Sequence, residues 1–202
     1  MTLQIVIPGN FTAPGLPDLG LLGFEDTFTR GDADSLGYTE IPRRRWLAWA
    51  QSLEAVTGII NDAGYVTRSD GAGHAVASVD AGTADGTLEV TIGQKDATSQ
   101  MGAAFRCASI NDYWRFACNG SSYYRLSKYV SGGNVHIAQT TDITPAPGDR
   151  LKVVLSGPSI KCFVNDEQVI DASDSDLLDK TRHGFYNNGD SANTFDQIKF
   201  TA

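Results

Sequence analysis

The fold is decided by Gly148–Asp174, which reads GDRLKVVLSGPSIKCFVNDEQVIDASD, and by Thr181–Phe200, TRHGFYNNGDSANTFDQIKF. Within the first segment, apolar residues occupy every second position of Leu151–Ser156 and of Ile160–Asn165. That two-residue period is typical of strands with one buried face. Asn165-Asp166 lies where a tight hairpin turn is needed, because Asn and Asp tolerate a positive φ. The stretch therefore predicts consecutive antiparallel strands.

Further strand-like runs cover most of the remaining chain and are separated by short turns rich in Gly, Asn and Asp. The other predicted strands are Phe24–Thr29, Thr57–Ile60, Tyr65–Thr67, His74–Asp80, Thr87–Ile92, Met101–Ser109, Tyr113–Asn119, Ser122–Lys128, Val169-Ile170, Gly184–Tyr186 and Thr194–Phe200, with a polar loop over Ser173–Lys180. A chain of 202 residues with 21 Gly and this pattern predicts one all-β domain.

The motif order G-D-x-L-K-V-x-L-x-G, I-K-x-x-V-N-D-x-x-V-x-D, H-G-F-Y and F-D-x-I-x-F resembles the C-terminal half of laminin-G-like, concanavalin A-like jelly-roll domains. The resemblance covers residues 24–202. It implies a jelly-roll β-sandwich in which the last strand returns to pair beside the first, here Phe24–Thr29. It implies a fold rather than a chemistry.

Composition excludes several classes of function. The net charge is −8 and the pI is about 4.7, so the basic footprint of a nucleic-acid binder is missing. No apolar run is long enough to span a bilayer, and the start MTLQIVIPGN lacks a basic n-region, so we expect neither membrane insertion nor secretion. Cys107, Cys118 and Cys162 are expected to be buried thiols, with a Cys107–Cys118 bridge left open.

Residues 1–23 predict an extended N-terminal arm, because Pro8, Pro14 and Pro17 interrupt any regular element. A loose terminus and an arm that docks on a neighbouring subunit are the two alternatives. The arm together with the following segment resembles minor tail proteins of phages that infect actinobacteria. The matching residues are Thr2–Ile7, Pro8-Gly9, Phe28, Arg30, Ser35, Leu36, Gly37 and Trp49. The resemblance implies a virion component at the tail tip or tail surface, made in the host cytoplasm, that contacts other tail proteins through the arm. Tail-tip proteins are often homotrimers.

The middle of the chain predicts a binding face. With Asn111-Asp112 as a hairpin turn and Ile110 opposite Tyr113, Cys107 faces Phe116 and belongs to the core side. The residues predicted to share the outer side of this sheet as one ligand-binding patch are Arg106, Tyr113, Arg115, Tyr123 and Arg125. Tyr rings stack on sugars and Arg binds hydroxyls and carboxylates, which favours a glycan or an acidic polymer. The alternative is a solvated face with cross-strand Tyr–Arg pairs.

No catalytic motif is present in the sequence. Jelly-roll glycosidases need paired carboxylates on one strand, and no E-x-D-x-E run, G-x-S-x-G or H-E-x-x-H occurs. We therefore expect a non-enzyme. Some relatives of the fold hold a structural calcium where the first and last strands meet, and Glu25, Asp26 and Asp196 are the matching acids. The alternative is that these acids pair with Lys199 or Arg182.

The sequence thus predicts a non-enzymatic phage minor tail protein whose lectin-like sandwich attaches to host cell-surface glycan, such as cell-wall polysaccharide. Two other functions stay open at this point. The first is a purely structural or decoration module of the virion with no glycan ligand. The second is a secreted bacterial carbohydrate-binding domain, which the absent signal peptide disfavours.

Overall fold

The computed structural model describes residues 22–71, 73–189 and 192–202, and these residues form strands and no helix. Accordingly, no helix in this part of the chain is long and apolar enough to cross a membrane. The strands, in chain order, are β1 (Phe24–Asp26), β2 (Leu47–Ala50), β3 (Ala55–Ile60), β4 (Ala63–Arg68), β5 (His74–Asp80), β6 (Gly86–Ile92), β7 (Gln100–Ser109), β8 (Asp112–Asn119), β9 (Tyr123–Val130), β10 (Gly133–Gln139), β11 (Arg150–Ser156), β12 (Ser159–Val164), β13 (Glu167–Ser173), β14 (Arg182–Asn188) and β15 (Phe195–Thr201). The predicted all-β class is confirmed.

The strands form two antiparallel sheets that pack face to face. The eight-stranded sheet has the order β13-β12-β11-β6-β15-β4-β3, with β1 beside β15, and the seven-stranded sheet has the order β10-β9-β8-β7-β14-β5-β2. Apolar side chains of both sheets fill the space between them, among them Phe105, Trp114 and Phe116 from one sheet and Leu88 and Leu151 from the other. This is the predicted jelly-roll β-sandwich.

The last strand returns beside the first, as predicted. Phe24 lies opposite Phe200 and Asp26 opposite Ile198 in an antiparallel register. The rings of Phe24 and Phe200 are parallel, with centroids 6.3 Å apart. Burial of both rings in the common core stabilises the closure of the chain ends, because aromatic side chains remove a large apolar area from water.

The C-terminal half follows the sequence pattern closely. β11 pairs with β12 and β12 with β13, joined by turns at Gly157 and at Asn165-Asp166. Asn165 and Asp166 have φ values of 49° and 71°, which is the geometry that these two residue types tolerate and a two-residue hairpin needs.

The β7–β8 hairpin differs from its predicted register. The turn residues are Ile110 and Asn111, and Ala103 rather than Cys107 lies opposite Phe116. A bulge between Phe105 and Ser109 adds residues to β7 and is not visible in a strictly alternating pattern. The register of β7 against β8 is shifted by an even number of residues, so most side chains stay on the side of the sheet that the sequence predicts. Beyond the bulge, however, Cys107 lies on the outer side of the sheet.

The three cysteines are free and buried. Cys118 belongs to the core between the sheets, whereas Cys107 packs in a second cluster on the outer side of the seven-stranded sheet. The bridge between Cys107 and Cys118 that the sequence left open is therefore absent. Burial raises the pKa of both thiols, which keeps them protonated.

Of the predicted N-terminal arm, residues 1–21 lie outside the described residues. Leu22 is exposed, and the Gly23 amide donates a hydrogen bond to the Ala81 carbonyl 3.0 Å away. The boundary between arm and sandwich at residues 23 and 24 stays a prediction.

Gly184 in β14 is required by the close approach of β5. A Cβ atom at this position would overlap the Ala77 carbonyl oxygen and lie 2.7 Å from Ser78 Cα. We expect Gly184→Ala to lower the free energy of unfolding by about 1–3 kcal/mol, because backbone of a central strand must move. The matched control is Gly31→Ala, since a Cβ there meets nothing within 4 Å. Urea titration of both variants checks this, and equal midpoints would contradict it.

Candidate functional site

The outer side of the seven-stranded sheet brings together four of the five predicted ligand-binding residues. Tyr113 and Arg115 lie on β8, and Tyr123 and Arg125 lie on the neighbouring β9. In the β8–β9 register, Arg115 is opposite Ser127 and Tyr113 is opposite Tyr129. The alternation that places Tyr124 and Leu126 in the core turns these side chains to the other side, as the sequence predicts.

The centre of this face is a tyrosine–arginine cluster, formed by His74, Tyr113, Arg115, Tyr129 and Tyr186. The rings of Tyr113 and Tyr129 are stacked with centroids 5.0 Å apart. The guanidinium carbon of Arg115 lies 4.6 Å from the Tyr186 ring centroid and 5.3 Å from that of Tyr129. His74 meets Tyr129 and Tyr186 edge-on at 5.3 and 5.6 Å. The cation is thus held between the electron-rich faces of two rings.

Three buried polar atoms of the cluster have no hydrogen-bond partner within the part of the protein that the structure describes. They are the hydroxyl oxygens of Tyr113 and Tyr186 and Nη1 of Arg115. The Arg115 side chain is anchored through Nε, which donates to Ser127 Oγ over 2.9 Å. Tyr113 is 0% exposed and Arg115 is 2% exposed. Buried polar groups are nearly always paired in folded proteins, so three unpaired atoms in one cluster mark it as a candidate site.

The cluster carries one uncompensated positive charge. Burial, together with the positive charge of Arg115, lowers the pKa of His74 to about 4, so His74 is neutral near pH 7. Burial raises the pKa of Tyr113 and of Tyr186, which keeps both phenols protonated. The positive charge of Arg115 is therefore the net charge of the cluster at neutral pH.

Two half-buried arginines lie at opposite margins of the cluster, each over an aromatic ring. Arg125 lies 5.9 Å from the Tyr123 ring centroid, and Arg182 lies 5.6 Å from that of Trp49. Arg125 donates to Asn119 Oδ1, whereas Arg182 donates to the hydroxyl and the carbonyl of Ser78. Both side chains are half-buried and therefore reach the surface of the face.

Arg106 does not belong to this face, which corrects the sequence prediction. It occupies the β7 bulge with φ 47° and is fully buried. Its Nη2 donates to Asp85 Oδ1 at 2.8 Å and to the Gly157 carbonyl at 2.7 Å. The bulge reverses the alternation at this residue, so Arg106 ties β7 to the loops beside β6 and β11 instead of facing a ligand.

The predicted cation ligands are not assembled into a metal site. Asp26 is fully buried and accepts hydrogen bonds from Phe28 N, Arg30 Nη1 and Trp46 Nε1. Glu25 points to the other side of β1, 3.4 Å from Lys199. Across residues 22–71, 73–189 and 192–202, no group of three or more His, Cys, Asp and Glu side chains is placed to hold a metal. Asp26 is a structural anchor rather than a free ligand.

The outer face offers no pair of carboxylates. Along the described positions of β5, β14, β7, β8 and β9 that project outward, the acid present is Asp80 at the end of β5. Its carboxylate accepts from Gly82 N and Thr181 Oγ1. Glycoside hydrolysis needs two carboxyl groups flanking the scissile bond. The outward positions of these strands therefore do not supply the two carboxyl groups that this reaction needs.

Two clefts elsewhere in the described part of the chain have no cationic side chain in their walls. One of about 300 Å³ is lined by Asp32, Asp34, Ile59, Ile60 and Tyr65. Another, of about 270 Å³, has Gln94, Thr194 and Asp196 in its wall. Both lie near the β3–β4 turn, on the other sheet.

Sequence reasoning missed half of the face. Tyr129 continues the outward alternation of Tyr123, Arg125 and Ser127, so a longer β9 in the prediction would have included it. His74, Trp49, Arg182 and Tyr186 come from strands that are distant in sequence and become neighbours only through the order β7-β14-β5-β2. Local periodicity carries no signal for that adjacency.

Neither a protein-family model nor a curated protein sequence matches the chain. Solved structures do match. A carbohydrate-binding module from Bacillus subtilis has a TM-score of 0.50 and 21% identity, over 76% of this chain and 91% of its own. A β-1,3-1,4-glucanase (lichenase) from a mouse hindgut metagenome has a TM-score of 0.61 and 10% identity, over 89% and 98%. The fourth domain of an extracellular arabinanase from Geobacillus stearothermophilus, solved with arabinotriose, has a TM-score of 0.52 and 8% identity, over 89% and 92%.

These similarities show the fold. The chain is a jelly-roll sandwich of the kind found in carbohydrate-binding modules and glucanases. At identities of 8 to 21%, fold does not fix function, which must be argued from the residues of the face.

Proposed function

We propose that this protein is a non-enzymatic glycan-binding module, and that it holds saccharide on the outer face of the seven-stranded sheet. The observation that carries the proposal is the tyrosine–arginine cluster with its three unpaired polar atoms. It is flanked by half-buried Tyr123 and Arg125 on one side and by half-buried Trp49 and Arg182 on the other. Aromatic rings offer stacking surfaces for sugar faces, and guanidinium groups donate in pairs to sugar oxygens.

We further propose that the module serves as a minor tail protein of a phage virion and recognises host cell-wall polysaccharide. This step rests on the resemblance of the N-terminal residues and of Phe28, Arg30, Ser35, Leu36, Gly37 and Trp49 to phage minor tail proteins. Contact with other tail proteins through residues 1–23, assembly as a trimer and location at the tail tip follow from the same resemblance.

We expect saturable binding of the full chain to purified cell-wall polysaccharide of an actinobacterial host. Tyr123→Ala together with Arg125→Ala should weaken it at least about tenfold, since one charged hydrogen bond is worth that much. Lys161→Ala with Phe163→Ala is the matched control, because it also removes one cation and one ring two residues apart on an outward strand side. Isothermal titration calorimetry measures both double variants against the parent.

A purely structural role in the virion is the second candidate. Burial of Tyr113 and Arg115 favours this role, because side chains that are already covered by their neighbours can stabilise the sheet by packing alone, without a ligand. This alternative predicts no saturable binding to any envelope polysaccharide at millimolar sugar.

A further inference from the structure

The arginines of the outer face differ in their partners from four other arginines of the protein. Arg30, Arg68, Arg106 and Arg150 each contact a carboxylate within 4 Å. In the outer face, by contrast, the side-chain partners of Arg115, Arg125 and Arg182 are the neutral groups Ser127, Asn119 and Ser78. No carboxylate among the described residues lies within salt-bridge distance of these three.

This concentration of unpaired positive charge stands on a chain whose net charge is −8. The acid at the border of the face is Asp80, which attracts Arg182 without coming into contact with it. An ionised group removed from water without an opposite charge is costly, and Arg115 is nearly fully buried. A ligand that supplies negative charge above the cluster offsets that cost, even where it does not touch Arg115 itself.

The strand registers place the three arginines on a diagonal line. Arg125 of β9 is opposite Ala117, which is opposite Gly102 of β7, and Gly102 is opposite Tyr186 of β14. Arg115 stands two residues along β8 from that row, level with Ala104 of β7 and Gly184 of β14. Arg182 stands two residues further along β14 than Gly184.

The length of this line follows from sheet geometry. Three strand spacings and four residues separate the backbone positions of Arg125 and Arg182, which corresponds to about 20 Å. The two ends are the half-buried arginines over Tyr123 and Trp49, and the buried Arg115 lies between them. A stripe of this length is suited to a chain with repeated charges rather than to one small anion.

We propose that the outer face selects anionic polysaccharide, a chain of sugars bearing carboxylate or phosphate groups that runs along the Arg125–Arg115–Arg182 stripe. Arg125 and Arg182 contact the negative groups, and Tyr123 and Trp49 stack beside them. Arg115 acts from beneath as a fixed source of positive potential. The inference rests on the proposed function and names its ligand class.

The test compares a charged polysaccharide with the same polysaccharide made neutral. The full chain is titrated with polygalacturonate, with the same polymer after carboxyl reduction, with a phosphomannan that carries phosphate on its sugars, and with polyglutamate, an anionic polymer without sugar. We expect binding to one or both anionic polysaccharides, and at least about tenfold weaker binding to the carboxyl-reduced polymer.

The double variant Arg125→Gln with Arg182→Gln should weaken binding to the anionic polysaccharides by a similar factor. Lys161→Gln with Lys199→Gln, which removes the same charge from the opposite sheet, should not. Binding should also weaken when NaCl is raised from about 0.05 to 0.5 M.

The possible results separate the inference from the proposed function. Equal binding to polygalacturonate and its reduced form overturns charge selection and leaves glycan binding standing. Equal binding to polyglutamate overturns selection of a saccharide. No binding to these polymers or to host wall polysaccharide overturns both. A preference for the carboxylate or for the phosphate polymer identifies the source of the charge, and matching thermal midpoints establish that the variants are folded.

Discussion

Replacing Asp26 with alanine is expected to lower the free energy of unfolding by about 3–5 kcal/mol, because two buried donors and the half-buried Arg30 lose their acceptor. The Asp26 carboxylate is completely buried and accepts from Arg30 Nη1 at 2.6 Å, Arg30 Nη2 at 3.1 Å, Trp46 Nε1 at 2.9 Å and Phe28 N at 3.0 Å. Its loss leaves the indole and the amide without an acceptor in a dry core. Each unpaired buried donor costs about 1–3 kcal/mol.

Glu25→Ala is the matched control for this prediction, because it removes the same charge from the neighbouring residue of β1. The Glu25 carboxylate lies 3.4 Å from Lys199 Nζ and accepts from Gln197 Nε2 near the surface. Exposed pairs of this kind contribute about 0–1 kcal/mol. Guanidinium chloride titrations of both variants measure the difference, and equal losses would contradict a special role of Asp26.

The same comparison addresses the calcium ligands that the sequence predicted at this position. If a bound cation rather than Arg30 and Trp46 stabilised Asp26, EDTA would lower the stability of the parent by as much as Asp26→Ala does. We expect no such effect, because both carboxylate oxygens already accept from protein donors. Calcium needs about six or more oxygen ligands, which a carboxylate engaged in this way does not offer.

The sequence predicts those features of the fold that depend on residues close together in the chain. The strands β11 to β15 and the turn at Asn165-Asp166 were predictable, since alternation and turn chemistry act between neighbours in the chain. The return of β15 beside β1 is a long-range pairing, and it came from resemblance to a known fold rather than from periodicity. The structure confirms this pairing of β1 with β15.

The functional face was predicted in part for the same reason. Tyr113, Arg115, Tyr123 and Arg125 lie on one hairpin-connected pair of strands, so alternation alone brings them together. Arg106 was misplaced because a bulge interrupts the alternation, and a bulge has no sequence signature here. The burial of the Arg115 side chain was also unpredictable, because the rings that cover it come from β5, β9 and β14 and meet only in the folded sheet.

Acidification from pH 6.5 to about 4.5 is expected to destabilise the protein steeply, because the buried His183 and the half-buried His74 are neutral in the folded state. His183 is fully buried and stacks on Phe200 at 4.1 Å, and its Nε2 lies 3.0 Å from the Thr83 carbonyl. Burial lowers the pKa of His183 to about 3 and that of His74 to about 4, from 6.5 for the free side chain. The unfolded chain therefore takes up protons in this window that the folded chain does not.

The neutral histidines contribute their full share of the free energy of unfolding above pH 6.5, and this share is lost as the pH falls. The loss is about 1.4 kcal/mol per pH unit for each histidine that is protonated only in the unfolded chain. Carboxylates with a lowered pKa, such as Asp96, titrate from 3.8 downward and contribute mainly below this window.

Urea titrations at steps of half a pH unit measure how steeply the free energy of unfolding changes with pH. His183→Gln keeps a donor for the Thr83 carbonyl and is expected to remove about half of the slope. His136→Gln, at an exposed position of β10, is the composition-matched control and is expected to keep the parent's slope. A parent whose unfolding free energy stays constant from pH 6.5 to 4.5 would show that neither His183 nor His74 is held neutral, and with it that the cluster around Arg115 is open to water.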